Sequence, residues 1–124
     1  MELMMDEIGD VTVVRISGKL DTLTSIDVQD KLTKIIDDGA KNILIDCEKL
    51  DFISSYGLRL LLLGTQQVKR VSGQLRVCSL NAMVREVFDV SGFTEIIPVS
   101  HSQAEALEQF GAPTADRDRG IKDG

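Results

Sequence analysis

The chain has 124 residues, 43% of them hydrophobic, with 14 basic against 20 acidic side chains and a net charge of −6, proportions that fit one domain around one core. The acidic balance and the lack of any basic cluster exclude a phosphate-backbone footprint, so no nucleic acid is expected as a partner, and they disfavour an anionic membrane surface. With no Trp, one Tyr and four Phe, there is too little aromatic surface for a base-stacking platform.

The start, Met1-Glu2-Leu3-Met4-Met5-Asp6-Glu7, carries acids where a signal peptide needs basic residues followed by an apolar stretch. No apolar run approaches the ~20 residues of a membrane span. The expectation is therefore a soluble, cytoplasmic protein with no membrane partner. Residues 3–8 are weakly patterned, but Gly9-Asp10 precedes a β-branched alternation over 11–17, and the two runs read as a hairpin. Gly18-Lys19-Leu20-Asp21-Thr22 ends the second strand. Thr24 or Ser25 then caps a helix whose stripe is Ile26, Val28, Leu32, Ile35 and Ile36, stopped by Gly39.

Residues 42–47 are apolar on both faces, as in a central strand covered by helices. Residues 48–52 read as a linker to the Ser54-Ser55 turn, after which Leu58, Leu61, Leu62 and Val68 share a helical face up to Ser72-Gly73. Residues 74–79 alternate as a strand, and Asn81 caps a helix with Met83, Val84, Val87, Phe88 and Val90 inward, ended by Ser91-Gly92. A short last strand over 93–99 is marked by Pro98 as an edge or a terminus. A final helix from Ser102 buries Ala104, Leu107 and Phe110. Residues 112–124, with balanced charges and little apolar content, read as a disordered tail beyond a domain of residues 1–111.

After the hairpin, strands and helices alternate, the order of an α/β sheet with parallel members and right-handed crossovers. Cys47 and Cys78 each follow an apolar run and lack C-x-x-C spacing, so they read as buried small hydrophobes rather than a metal or redox pair. No glycine-rich phosphate loop is present. No metal and no cofactor are expected.

The stretch Asp51 to Leu63 carries the functional signal. Ser55 falls at the mouth of an apolar helix, where unpaired N–H groups and the helix dipole favour a phosphate. The same placement suits an ordinary capping serine, worth about 1 kcal/mol. A nucleophilic serine on such a turn would need a base. The G-x-S-x-G glycines are missing and the one histidine, His101, is distant in sequence, so no catalytic residue is expected.

Gly18-Lys19-Leu20-Asp21 after the second strand, 42–46 as the central strand, 52–63 as the serine-bearing turn and helix, and Val87-Phe88-Asp89-Val90-Ser91-Gly92-Phe93 occur in the order of a STAS domain. More narrowly, the chain resembles the single-domain bacterial anti-sigma factor antagonists over residues 3–111. The resemblance implies a single-domain mixed β-sheet flanked by about four α-helices. It also implies a switch: the unphosphorylated antagonist binds an anti-sigma factor that is also a serine/threonine kinase, phosphorylation releases it, and a phosphatase resets it.

The family's phosphorylated position falls on Ser55, by alignment on Gly57-Leu58. Ser54, Asp21 and Gly57 are the implied neighbours of the phosphorylation loop, with Asp21 the implied residue for orienting the serine hydroxyl or else a helix cap. The chain departs from the family pattern in having Ser54 where an Asp is usual and Tyr56 where Ser, Thr or Ala is usual. Ser54 is a second possible acceptor or the N-cap. The alternative function is a constitutive STAS scaffold in a signalling complex or a lipid or anion transporter.

Overall fold

The alternating run after Gly9 forms a strand with two usable faces. In the computed structural model, which describes the backbone of residues 2–115 and the side chains of residues 2–111, β1 (Glu2–Ile8) pairs antiparallel with β2 (Val11–Leu20), Ile8 opposite Val11. Gly9, at φ 63°, supplies the left-handed backbone that the tight turn needs. There follow α1 (Thr22–Asp37), β3 (Asn42–Asp46), β4 (Leu50–Ile53), α2 (Ser55–Lys69), β5 (Gln74–Cys78), α3 (Ala82–Ser91), a 3-10 turn (Phe93–Glu95), β6 (Val99–Ser100) and α4 (Gln103–Ala115).

The sheet order is β1-β2-β3-β5-β6, with β4 branching onto the end of β2. β1 is antiparallel and the other pairings are parallel. The mixed sheet with helices on both sides is thus the α/β architecture expected from the order of elements.

β3 lies between β2 and β5, and its alternation divides the core. Ile43 and Ile45 face α1, α2 and α3, with Val28, Leu32, Leu60, Leu61, Val84 and Phe88 in the same cluster. Leu44 faces the other way and packs with Val11, Val13, Cys78, Ala106 and Phe110 beneath α4. A strand buried on both faces cannot alternate with polar residues, and each such side chain contributes about 1.5–3 kcal/mol by leaving water. Cys47 and Cys78 are both buried free thiols; burial raises the Cys78 thiol to about 11 and raises Cys47 as well.

Several local expectations are corrected. The segment read as a linker contains β4, with Leu50 and Ile53 buried and Asp51 and Phe52 exposed. β2 does not stop at Ser17 but shifts register at Gly18/Lys19 and runs to Leu20, where it takes β4 as a new partner. The cap of α1 is Asp21, not Thr24 or Ser25, and Ile26 is exposed.

On α2, Leu60 is buried beside Leu61, whereas Leu62 is only half-buried. On α3, Val84 and Phe88 make the buried stripe, while Met83 and Val90 face solvent. On α4, Ala106 and Phe110 are buried and Ala104 is exposed. Residues 93–98 are not a strand. Gly92 caps α3 at φ 81°, Phe93 meets Phe88 edge-on at 6.1 Å, and Ile97 is fully buried, so packing overrides strand propensity. β6 shrinks to Val99–Ser100, and it is an edge strand as Pro98 implied. Helix α4 continues through Ala115, past the boundary drawn at residue 111; residues 116–124 of the expected tail lie outside the described residues.

Candidate functional site at the end of β4

The register of β2 against β4 builds the site. Leu20 is the partner of Ile53 in a parallel pairing, so the residues that follow them, Asp21 and Ser54, leave the sheet side by side. The Ser54 N–H donates to Leu20 O at 2.9 Å and ties the turn to β2. Ser54 is extended at φ −92°, ψ 175°, and its hydroxyl accepts from the Gly57 N–H at 3.3 Å, while its carbonyl accepts from the Leu58 N–H at 3.0 Å. Ser54 is therefore the N-cap of α2.

That assignment separates the two serines. Ser55 is the first helical residue, exposed, and its hydroxyl has no hydrogen-bond partner among the described residues. Capping accounts for Ser54 and leaves Ser55 without a structural task. Its hydroxyl sits at the positive end of a fifteen-residue helix whose first turn contains no acid.

Gly57 fits here because α2 presses onto the strand ends. A Cβ at this position would lie 2.7 Å from Ile53 Cγ1 and 3.0 Å from Leu20 Cδ2, closer than carbon atoms pack. The glycine lets the helix start sit directly on the Leu20–Ile53 pair, which sets the height at which Ser55 is presented.

Asp21 caps α1 through a reciprocal box: Thr24 N–H donates to Asp21 Oδ1 at 3.1 Å, and Asp21 N–H donates to Thr24 Oγ1 at 2.8 Å. The Thr24 backbone and side-chain hydrogen bonds hold the Asp21 carboxyl below its ordinary value. Its carboxylate is thus engaged on Thr24, and no hydrogen bond joins it to Ser54 or Ser55 among the described residues.

The elements that meet at this strand end, α1, β4 and α2, each carry an exposed apolar side chain. Leu23 on the first turn of α1 is 78% exposed, Tyr56 54% and Phe52 42%. Contiguous exposed apolar side chains with a polar rim mark protein docking surfaces. His101 is not part of this surface. It lines a shallow depression with Arg15, Asp46, Glu48, Ser79 and Gln103, at the β6 side of the sheet, and its backbone N–H is held by Glu105 Oε1 at 2.7 Å. No helix of the described residues is long and apolar enough to cross a membrane.

Sequence reasoning missed β4 and therefore the pairing that brings Asp21 and Ser54 together. The available signal was the buried-exposed-exposed-buried quartet Leu50-Asp51-Phe52-Ile53, too short to separate from a loop. It also missed that Gly57 is a packing residue.

The comparisons agree with this fold. The STAS domain family model matches residues 2–106. A candidate anti-sigma factor antagonist of Bordetella bronchiseptica, BtrV, is 36% identical over 110 residues, covering 89% of this chain and 95% of that protein. Among solved structures, a candidate anti-sigma factor antagonist from Thermotoga maritima superposes with a TM-score of 0.85 at 15% identity, covering 89% and 95% of the two chains. The Bacillus cell fate determinant SpoIIAA, in its phosphorylated form, superposes with a TM-score of 0.69 at 24% identity, covering 87% of this chain and 98% of that one. The chain belongs to the STAS domain family and, within it, to the anti-sigma factor antagonists.

Proposed function

We propose that this antagonist is a cytoplasmic partner-switching protein that acts by binding rather than by catalysis. Unphosphorylated, it docks through the Leu23, Phe52 and Tyr56 surface on an anti-sigma factor that is also a serine/threonine kinase, and so frees a sigma factor for transcription. Phosphorylation at Ser55 releases it, and a phosphatase restores the binding form. The observation that carries the reading is the division of labour at the turn: Ser54 caps α2, and Ser55 is exposed and unpartnered beside it. Family membership and the phosphorylated form described for SpoIIAA support it.

The physical basis of release is local. A phosphate adds roughly −1.5 to −2 charge at pH 7 in the middle of an apolar surface. Docking would then require dehydrating a dianion against apolar partner groups, which costs more than the docked surface returns, and no refolding is needed.

Affinity capture from a lysate of the source organism, followed by mass spectrometry, tests this. The wild type and Ser55→Ala should retain an ATP-binding, kinase-like protein that Ser55→Asp loses, and the phosphopeptide recovered from cells should map to Ser55. Retention of the same partner by Ser55→Asp and Ser55→Ala would overturn the switch. A transporter subunit or complex scaffold held equally by both would leave the constitutive scaffold reading, which the Ser54 in place of the usual acid favours.

A further inference from the structure

Cations on α1 and α3 pair with acids of their own helix or its C-cap. On α1, Lys31 pairs with Asp27 at 3.2 Å and Lys34 with Asp38 at 3.4 Å; on α3, Arg85 pairs with Asp89 at 3.7 Å. Each partner lies four residues away. On α2, Lys69 in the last turn is exposed with no ion pair, and so, near the start of the helix, is Arg59, whose side chain makes no ion pair or hydrogen bond among the described residues. Four residues before Arg59 stands Ser55, and four after it Leu63.

Residues four apart on a helix are surface neighbours, with Cβ atoms about 5–6 Å apart, and the favourable order places the anion on the N-terminal side. A phosphate on Ser55 would occupy that anion position. Guanidinium is the side-chain cation best matched to phosphate, through paired N–H donors. The other charged groups at this strand end are differently placed. Asp21 is engaged with Thr24, Lys19 and Asp51 belong to β2 and β4, and no other cation occupies the first turns of α2.

We propose that Arg59 is the built-in counterion of a phosphate on Ser55, a positioning residue that folds over the modified serine and holds its phosphate along the surface of α2. The inference rests on Ser55 being the acceptor. It adds that the two forms differ in the location of a cation as well as in charge: Arg59 is free in the binding form and drawn onto the phosphate in the released form. A docking partner would therefore lose access to Arg59 at the same step at which it meets the phosphate.

The test uses the full chain with phosphoserine installed co-translationally at position 55, in wild-type, Arg59→Gln and Lys69→Gln backgrounds. The readout is the midpoint of the second phosphate ionisation by phosphorus NMR. The wild-type midpoint is expected about 0.5 below that of Arg59→Gln, roughly threefold in the ionisation constant. Lys69→Gln should titrate like wild type, and the gap should close as NaCl is raised. Equal midpoints in wild type and Arg59→Gln overturn the proposal. So does a Lys69→Gln midpoint equal to that of Arg59→Gln, because net charge and not position would then set the ionisation. Since no kinase is used, failure here leaves the Ser55 switch standing, and failure of the capture experiment leaves this result unaffected.

Discussion

Two adjacent serines of the same chemistry differ in bonding because one peptide unit separates extended from helical backbone. Ser54, still extended, turns its hydroxyl onto the Gly57 N–H; Ser55, already helical, projects outward. Asp21 performs for α1 what Ser54 performs for α2, but as a titratable cap. Its carboxyl is held below the ordinary value of 3.8 by the Thr24 hydrogen bonds. A carboxylate depressed on folding contributes stability that is full above its unfolded value and lost as pH falls through its folded value. Asp21→Asn keeps a good capping side chain and removes the charge. Thermal melts from pH 7 to pH 3 should therefore show wild type above Asp21→Asn at neutral pH, with the difference shrinking as pH falls below 3.8 towards the lower folded value. A difference that persists unchanged to pH 3 would assign the depressed carboxyl no part in folding stability.

At the scale of elements, α2 is the helix through which the site is connected to the core. Its buried face runs Gly57, Leu60, Leu61, Gly64 and Val68, and both glycines are contact points: a Cβ on Gly64 would lie 2.7 Å from Leu32 Cδ2 of α1. Leu60→Ala and Leu61→Ala should each cost about 2–5 kcal/mol in urea unfolding, the range for large-to-small core changes, and Leu62→Ala, half-buried, clearly less. An equal loss at Leu62 would mean that the helix is rotated about its axis. β4 shows the converse dependence. Four residues make no independent strand, and it exists because β2, after its shift at Gly18/Lys19, offers Leu20 a partner in Ile53.

At the scale of the whole molecule, the sheet has one heavily covered face and one covered by α4 alone, among the described residues. The fastening of α4 is polar as well as apolar. Asp46, only 5% exposed at the end of β3, accepts from Glu48 N–H and from Gln103 Nε2, each at 3.0 Å, with Arg15 Nε 3.9 Å away. Asp46→Ala would leave those donors without their acceptor at a buried site, a cost of about 1–3 kcal/mol. Hydrogen exchange should show the loss concentrated in α4, with α2 protected as in wild type. Uniform loss across the fold would mean that α4 and α2 open together.

The sequence by itself determined the strand-helix alternation apart from β4, the hairpin, the doubly buried central strand and the serine-bearing turn. These depend on patterns within a few residues: alternation, helical spacing, and glycines at turns. At Ser55 the turn and the helix after it were legible, because they are contiguous, whereas the strand before them was read as a linker. Tertiary structure alone decided which serine caps and which is exposed, that the Asp21 carboxylate is engaged on Thr24, that Gly57 is a packing residue, and which leucines of α2 are buried. The last two depend on contacts between residues far apart in the chain, above all Leu20 with Ile53. Local propensity carries no information about such a partner: a four-residue strand forms only when a second strand arrives to pair with it, and a segment with β-formers such as 93–98 turns instead when its aromatic and aliphatic side chains have a core to enter.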